Sequence, residues 1–81
     1  MARGTARSDR KALAHNVRKL RKDRDWSQER LAAEAGDLRQ GLMSDIELGK
    51  ANPTLTTLES IAGALGVSVG ELFAPPTARR R

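Results

Sequence analysis

The sequence predicts an all-α protein, a compact bundle of five helices. Apolar residues recur at helical spacing along most of the chain, and no segment alternates in the manner of a β-strand. Cap-forming residues precede these apolar runs, and glycine or proline follows them. The 81 residues suffice for one small domain. We expect this domain over residues 8–74, between a flexible basic arm (1–7) and a Pro/Arg-rich tail (75–81).

The first helix is predicted to begin after Ser8, a residue type that caps helices, and to run to about Arg24. Its apolar residues fall at i, i+4 and i+7 and form one inner stripe: Leu13, Val17 and Leu20. The second helix is predicted to begin at the N-cap Ser27.

The residues around this second cap predict how the chain enters and leaves the helix. Trp26 precedes the cap and Leu31 lies four residues beyond it, which is the spacing of a hydrophobic staple. Gly36 supplies the left-handed conformation that commonly ends a helix.

A third helix is predicted from Arg39 or Gln40 to about Leu48, with Met43 and Ile46 on its inner face. Residues 27–48 thus form two short helices joined by a tight turn that contains glycine. This supersecondary unit is the one that lays its second helix in a DNA major groove.

The fourth helix is predicted to open with Thr56 and Glu59, which match a capping box, and to close at Gly66. Ser68 and Glu71 match a second capping box.

That second box predicts a last helix from Val69 to about Ala74, and Pro75-Pro76 would terminate it.

The charge is unevenly distributed. The net charge is +5 and the pI is near 10.8, which favours a polyanionic partner. Residues 1–26 hold nine Lys/Arg against three Asp, whereas residues 27–78 hold three Lys/Arg against seven Asp/Glu. The positive charge therefore lies mainly outside the central unit, in the first helix and in the Arg79–Arg81 tail. The alternative is that the basic ends are merely solvated.

The composition disfavours several functions. No cysteine is present and His15 is the single histidine, so we expect neither a metal site nor a cofactor. No nucleophile–base pair or phosphate-binding glycine loop is evident, so we expect no enzymatic activity. No apolar run approaches the roughly 20 residues of a membrane span, and no ligand-sensing domain is evident. We expect a cytoplasmic protein.

Two runs, over about residues 12–73, resemble the Cro/C1-type (XRE-like) helix-turn-helix family: NVRKLRKDRDWSQERLAAEAG and SDIELGKANPTLTTLESIAGALGVSVGELF. Its separated signatures occur here in order: Arg18 and Arg21, Ser27-Gln28, Leu31-Ala32, Ser44, Ile46-Glu47, Gly49-Lys50, Asn52-Pro53 and Leu65-Gly66-Val67-Ser68. The resemblance implies a phage-repressor-like fold and regulation of transcription. The family includes phage repressors, XRE regulators and restriction–modification controller proteins.

One departure from the family pattern concerns the turn. Between Gly36 and Glu47 the chain is one residue longer than the usual pattern. Without an insertion, Asp45 would be buried, which is costly for an unpaired carboxylate. We therefore expect an extra residue at or near Asp37, which turns inward the following side chains: Leu38, Met43 and Ile46.

The resemblance implies a set of DNA-contacting residues. Gln28, in the first turn of the second helix, is expected to bind a phosphate. The expected groove-facing residues of the third helix are Arg39, Gln40, Gly41, Leu42, Ser44 and Asp45. Further phosphate contacts are expected from Lys50, Asn52 and Arg18. Arginine suits guanine, glutamine suits adenine, aspartate suits cytosine and leucine suits a thymine methyl.

Three of these residues have alternatives. Gln28 can be an ordinary exposed residue, and Gly41 can be merely tolerated within its helix. Asp45 can orient a neighbouring arginine or discriminate by repulsion. The resemblance further implies that Arg21 and Glu47 form a buried salt bridge with a structural role.

Apolar residues of the C-terminal part predict a homodimer. They supply more apolar surface than a fourth helix and a short last helix need: Leu55, Val67, Val69, Leu72 and Phe73. The alternative is that they fill the monomer core. A dimer would bind a pseudo-palindromic double-stranded DNA operator and block or recruit RNA polymerase. A controller protein and a phage-like or XRE repressor both fit. The other alternative is an antitoxin that binds a toxin through its Arg-rich tail and regulates its own operon.

Overall fold

The computed structural model describes residues 5–75, and this part of the chain is all-α, as the sequence predicts. Its five helices, in chain order, are α1 (Thr5–Asp23), α2 (Gln28–Glu34), α3 (Gln40–Glu47), α4 (Leu55–Leu65) and α5 (Val69–Leu72). Most of the predicted arm and tail lies outside the described residues. No helix in the described range is long and apolar enough to cross a lipid bilayer.

One hydrophobic core joins all five helices. α1 packs on α3 and α5, and α4 packs on α2 and α5. The predicted inner stripes supply most of the core, because helical spacing places those residues on one face. The buried apolar residues are Leu13, Val17, Leu31, Ala32, Ala35, Met43, Ile46, Leu58, Ile61, Ala62, Leu65 and Leu72.

The predicted start of α1 is wrong. The helix begins at Thr5, so Ser8 lies inside it and does not cap it. No glycine or proline separates these two residues, and the helix therefore continues upstream of the serine. The last three residues of the predicted arm (5–7) belong to α1.

The turn between α2 and α3 has left-handed backbone at the position where the sequence predicts an extra residue. Gly36 and Asp37 both adopt positive φ, at 98° and 60°. The following Leu38 is half-buried against the core, and its backbone N–H donates to the carbonyl of Ala32 at 3.0 Å. Asp45 is consequently exposed, which confirms the predicted register of α3.

The predicted N-cap of α4 is wrong. Thr54, not Thr56, caps the helix, and its hydroxyl accepts a hydrogen bond from the N–H of Thr57 at 3.1 Å. Thr54 directly follows Pro53, and the helix starts two residues earlier than a Thr56–Glu59 capping box would require. The predicted end at Gly66 is confirmed, with φ of 73°.

The capping box of Ser68 and Glu71 is confirmed at α5, but the helix stops at Leu72, two residues before the predicted Ala74. Asn16 of α1, which is 1% exposed, contacts this end of α5. Its amide nitrogen donates to the carbonyls of Leu72 at 2.9 Å and Ala74 at 2.8 Å. These bonds hold the chain after α5 against α1.

Candidate nucleic-acid interface

The outer face of α3 carries the residues that the resemblance predicts for DNA contact. Arg39 is the N-cap in extended conformation, and its side chain makes no capping bond. Gln40, Gly41 and Asp45 are exposed, and Ser44 is half-buried. The opposite face is fixed, because Met43 and Ile46 are buried in the core. α3 therefore presents a polar face on a rigid support.

Gly41 is not required by packing within the protein. A Cβ placed there would meet no atom within 4 Å among its described neighbours. The glycine leaves the start of the exposed face of α3 without a side chain, so another molecule could approach the backbone closely.

Leu42 is less available than its neighbours on α3. It is half-buried and packs against the core, although the sequence places it on the exposed face. Only the remaining part of its side chain can contact a thymine methyl.

The ion pair that the resemblance implies is present between α1 and α3. Arg21 Nε donates to Glu47 Oε2 at 2.6 Å, and Arg21 Nη2 donates to Glu47 Oε1 at 2.9 Å. The two side chains are only 11% and 5% exposed. The hydrogen bond to Glu47 is the main cause that raises the pKa of Arg21 above its ordinary value, and burial opposes it.

Two further bonds extend this ion pair to the start of α2. Arg21 Nη1 donates to the carbonyl of Trp26 at 2.8 Å, and Gln28 Nε2 donates to Glu47 Oε1 at 3.1 Å. Glu47 thus accepts three hydrogen bonds and joins α1, α2 and α3. An amide nitrogen carries two hydrogens, so Gln28 retains one N–H beyond its bond to Glu47.

A cluster around Trp26 was not predicted from the sequence. The guanidinium carbons of Arg24 and Arg30 lie 5.2 and 5.1 Å from the centroid of its ring, within cation–π range. Arg24 Nη2 also donates to the carbonyl of Leu65 at the end of α4. Two arginines within four residues of the one tryptophan were the available signal.

The predicted phosphate-contacting residues outside α2 and α3 lie at the surface. Lys50 and Asn52 are exposed in the α3–α4 loop, and Arg18 is exposed on α1. The backbone N–H of Lys50 donates to the carbonyl of Asp45 at 2.9 Å, and Gly49 adopts φ of 75°. These features fix the loop at the end of α3.

The predicted dimer residues differ widely in exposure. Leu55 is 61% exposed, and Val67, Val69 and Phe73 are half-buried against the core. Leu72 is 0% exposed, so its assignment to an interface is wrong: its side chain fills the monomer core. Leu48, at the end of α3, is 63% exposed and was not predicted.

Comparison with known proteins identifies the family. A family model described as helix-turn-helix matches residues 17–72. A hypothetical transcription factor from Neisseria meningitidis is 40% identical over 86% of this chain. The chain spans 65% of that protein's length, which is less than two thirds. Control protein C.MunI from Mycoplasma is 44% identical, over 75% of this chain and 82% of that protein.

The fold agrees with a solved structure. The crystal structure of the hypothetical transcription factor NHTF from Neisseria matches with a TM-score of 0.82 and 39% identity. The match covers 88% of this chain and 80% of that chain. Since the family model matches more than half of the chain, the protein belongs to the helix-turn-helix family, of the Cro/C1 (XRE) type that its sequence resembles.

Proposed function

We propose that the protein is a transcription regulator that recognises double-stranded DNA by sequence through the exposed face of α3. One observation carries this proposal: the polar face of α3 is open, while its other faces are fixed by the core and by the Arg21–Glu47 pair. A recognition element needs this combination, since base edges are read only by groups held in register.

The base-reading roles follow from the chemistry of the side chains. Arg39 can donate two hydrogen bonds to guanine, Gln40 can pair with adenine, and Asp45 can accept from cytosine. Each good bidentate pair contributes about 1–3 kcal/mol of discrimination. Ser44 can bond to either partner of a base pair, and Gly41 permits close approach.

The phosphate contacts fix the position of α3 in the groove. Gln28 supplies its free amide hydrogen, and Lys50, Asn52 and Arg18 supply exposed groups around α3. Each cation that neutralises a phosphate releases counterions, so affinity falls steeply with salt.

The protein acts as a homodimer in this proposal. One helix of eight residues reads only a few base pairs, and two copies would read half-sites about 34 Å apart in a pseudo-palindromic operator. Leu55 is the most exposed of the proposed interface residues, with Val67, Val69 and Phe73 as further candidates. Bound at an operator, the dimer would block or recruit RNA polymerase.

The similarity to control protein C.MunI supports a controller-type regulator whose cellular concentration sets the response. Selection of bound sequences from a random duplex pool tests the proposal. We expect one recovered half-site in two inverted copies. The combined change Arg39→Ala and Gln40→Ala should remove the preference for it, while Lys19→Ala on α1 should retain it.

Two results would contradict the proposal. Recovery of no preferred sequence would exclude sequence-specific binding. Undiminished preference in the Arg39→Ala/Gln40→Ala variant would exclude base reading by α3.

A further inference from the structure

One face of α1 carries a row of cationic or titratable side chains. Four exposed residues are spaced four, three and four positions apart along the helix: Lys11, His15, Arg18 and Lys22. This spacing places them along one line of a helix, on the side away from the buried Leu13 and Val17. We call these four residues the α1 stripe.

The positive charges of the α1 stripe are not neutralised within the described part of the chain. Lys19, beside the stripe, pairs with Asp23 at 3.3 Å, and Arg21 pairs with Glu47. No carboxylate of residues 9–75 lies within ion-pair distance of the three stripe cations: Lys11, Arg18 and Lys22.

The helix-turn-helix unit itself is acidic. Residues 27–48 hold five carboxylates against two arginines. Glu34 pairs with Arg30, and the buried Glu47 pairs with Arg21 of α1, which leaves three carboxylates unpaired within the described chain against one arginine, Arg39. A duplex that approaches α3 therefore meets a net negative surface. Attraction must come from neighbouring elements: Lys50 supplies one exposed cation in the α3–α4 loop, and α1 supplies several.

Two contacts locate α1 relative to α3. Arg21 bonds to Glu47 in the last turn of α3, and the position of a Cβ on Gly49 lies 3.9 Å from the carbonyl oxygen of Arg10. α1 between residues 10 and 21 therefore lies along the C-terminal end of α3. The base-reading residues begin at the other end of α3, with Arg39 and Gln40.

We propose that the α1 stripe is a second DNA-contacting surface, which binds backbone phosphates of the duplex that flanks the bases read by α3. From Lys11 to Lys22 the stripe extends about 16 Å, equivalent to roughly five phosphates of one strand along the duplex axis. The proposal rests on the proposed function for the position of the duplex. The proposal adds Lys11, His15 and Lys22 to the DNA interface. The base pairs that flank the half-site would then contribute to affinity whatever their sequence.

Filter binding with single-charge variants tests this. Lys11→Gln and Lys22→Gln are compared with Lys19→Gln, which removes the same charge from the same helix but beside the stripe. Glutamine is a good helix former, so α1 should be retained in all three variants. Each protein is measured against a flush half-site duplex and against one extended by about five base pairs at both ends.

For the extended duplex, we expect Lys11→Gln and Lys22→Gln each to lower the slope of log K against log salt by about 0.9. Their affinity should fall several-fold, equally for selected and random sequences. On the flush duplex, both should match the wild type, and Lys19→Gln should match it on both.

Three results would overturn the proposal. Unchanged slopes would mean that the stripe is only a solvated face. If Lys19→Gln lowered the affinity as much as the stripe variants, the effect would be a general one of net charge. If the stripe variants lost affinity for the flush duplex, their phosphate contacts would lie within the half-site and not in the flanking sequence. Failure of the proposed function is distinguishable, because it appears as equal wild-type affinity for selected and random duplexes.

Discussion

At the scale of single residues, Glu47 determines how α3 is held. Its buried carboxylate accepts bonds from Arg21 and Gln28. Glu47→Ala would leave the Arg21 guanidinium buried without its counter-charge. Removing one partner of a buried ion pair costs about 3–5 kcal/mol, a large share of the stability of a small domain. We therefore expect Glu47→Ala to be largely unfolded, as measured by urea denaturation followed by circular dichroism.

Glu34→Ala is the matched control for this change. Glu34 pairs with Arg30 at 2.8 Å, but both side chains are about half exposed, at 43% and 56%. The loss of such a surface pair should cost less than about 1 kcal/mol. A folded Glu47→Ala protein of wild-type stability that fails to bind DNA would instead make Glu47 a functional residue.

Sequence reasoning located some of these residues and missed others. The Arg21–Glu47 pair was predictable because both residues match a known family pattern. Asn16 was not predicted, because asparagine in a helix usually faces solvent, whereas here it holds the carbonyls after α5. Its position between Leu13 and Leu20, next to Val17, on the apolar stripe was the available signal.

At the scale of elements, the cap of α4 offers a direct comparison of two threonines. Thr54 accepts the hydrogen bond from the N–H of Thr57, while Thr56 lies exposed inside the helix. Thr54→Ala should cost about 1 kcal/mol, since it leaves the N–H of Thr57 without its partner. Thr56→Ala should change the free energy of unfolding by less than about 0.5 kcal/mol, because alanine favours the helix.

Urea denaturation of the two variants measures this difference. If Thr56→Ala lowered the free energy of unfolding more than Thr54→Ala, the capping box predicted from Thr56 and Glu59 would be correct after all.

Helix existence was easier to predict than helix boundaries. The spacing of Leu58, Ile61, Ala62 and Leu65 repeats over several turns, so one misplaced residue does not hide it. A boundary depends on one or two hydrogen bonds, and two nearby threonines present the same local signal. The register of α3 was predictable only because Asp45 would otherwise be buried.

At the scale of the whole molecule, dimerisation depends on surface that the monomer leaves exposed. Leu55→Asp should abolish the proposed dimer, because a carboxylate buried in an apolar interface lacks a partner. Leu48→Asp is the matched control, since Leu48 is exposed to the same extent, at 63% against 61%. Sedimentation at micromolar concentration should find Leu48→Asp dimeric and Leu55→Asp monomeric. A monomeric wild-type protein would exclude the dimer as the free form.

The assembly was less predictable than the fold. The apolar pattern shows that Leu72 and Phe73 avoid water, but it does not distinguish burial in the core from burial against a partner. The structure assigns Leu72 to the core and leaves Leu55 outside it.

The surroundings of Trp26 give the molecule a built-in optical probe. It is the chain's one tryptophan, so all indole fluorescence arises from this site. Its ring lies beneath Arg24 and Arg30, and Arg24 also holds the end of α4. Its emission therefore responds to any change in the way α4 meets the start of α2. Gln28 is two residues away, so the same signal should also report on DNA binding at the proposed phosphate contact without an attached label.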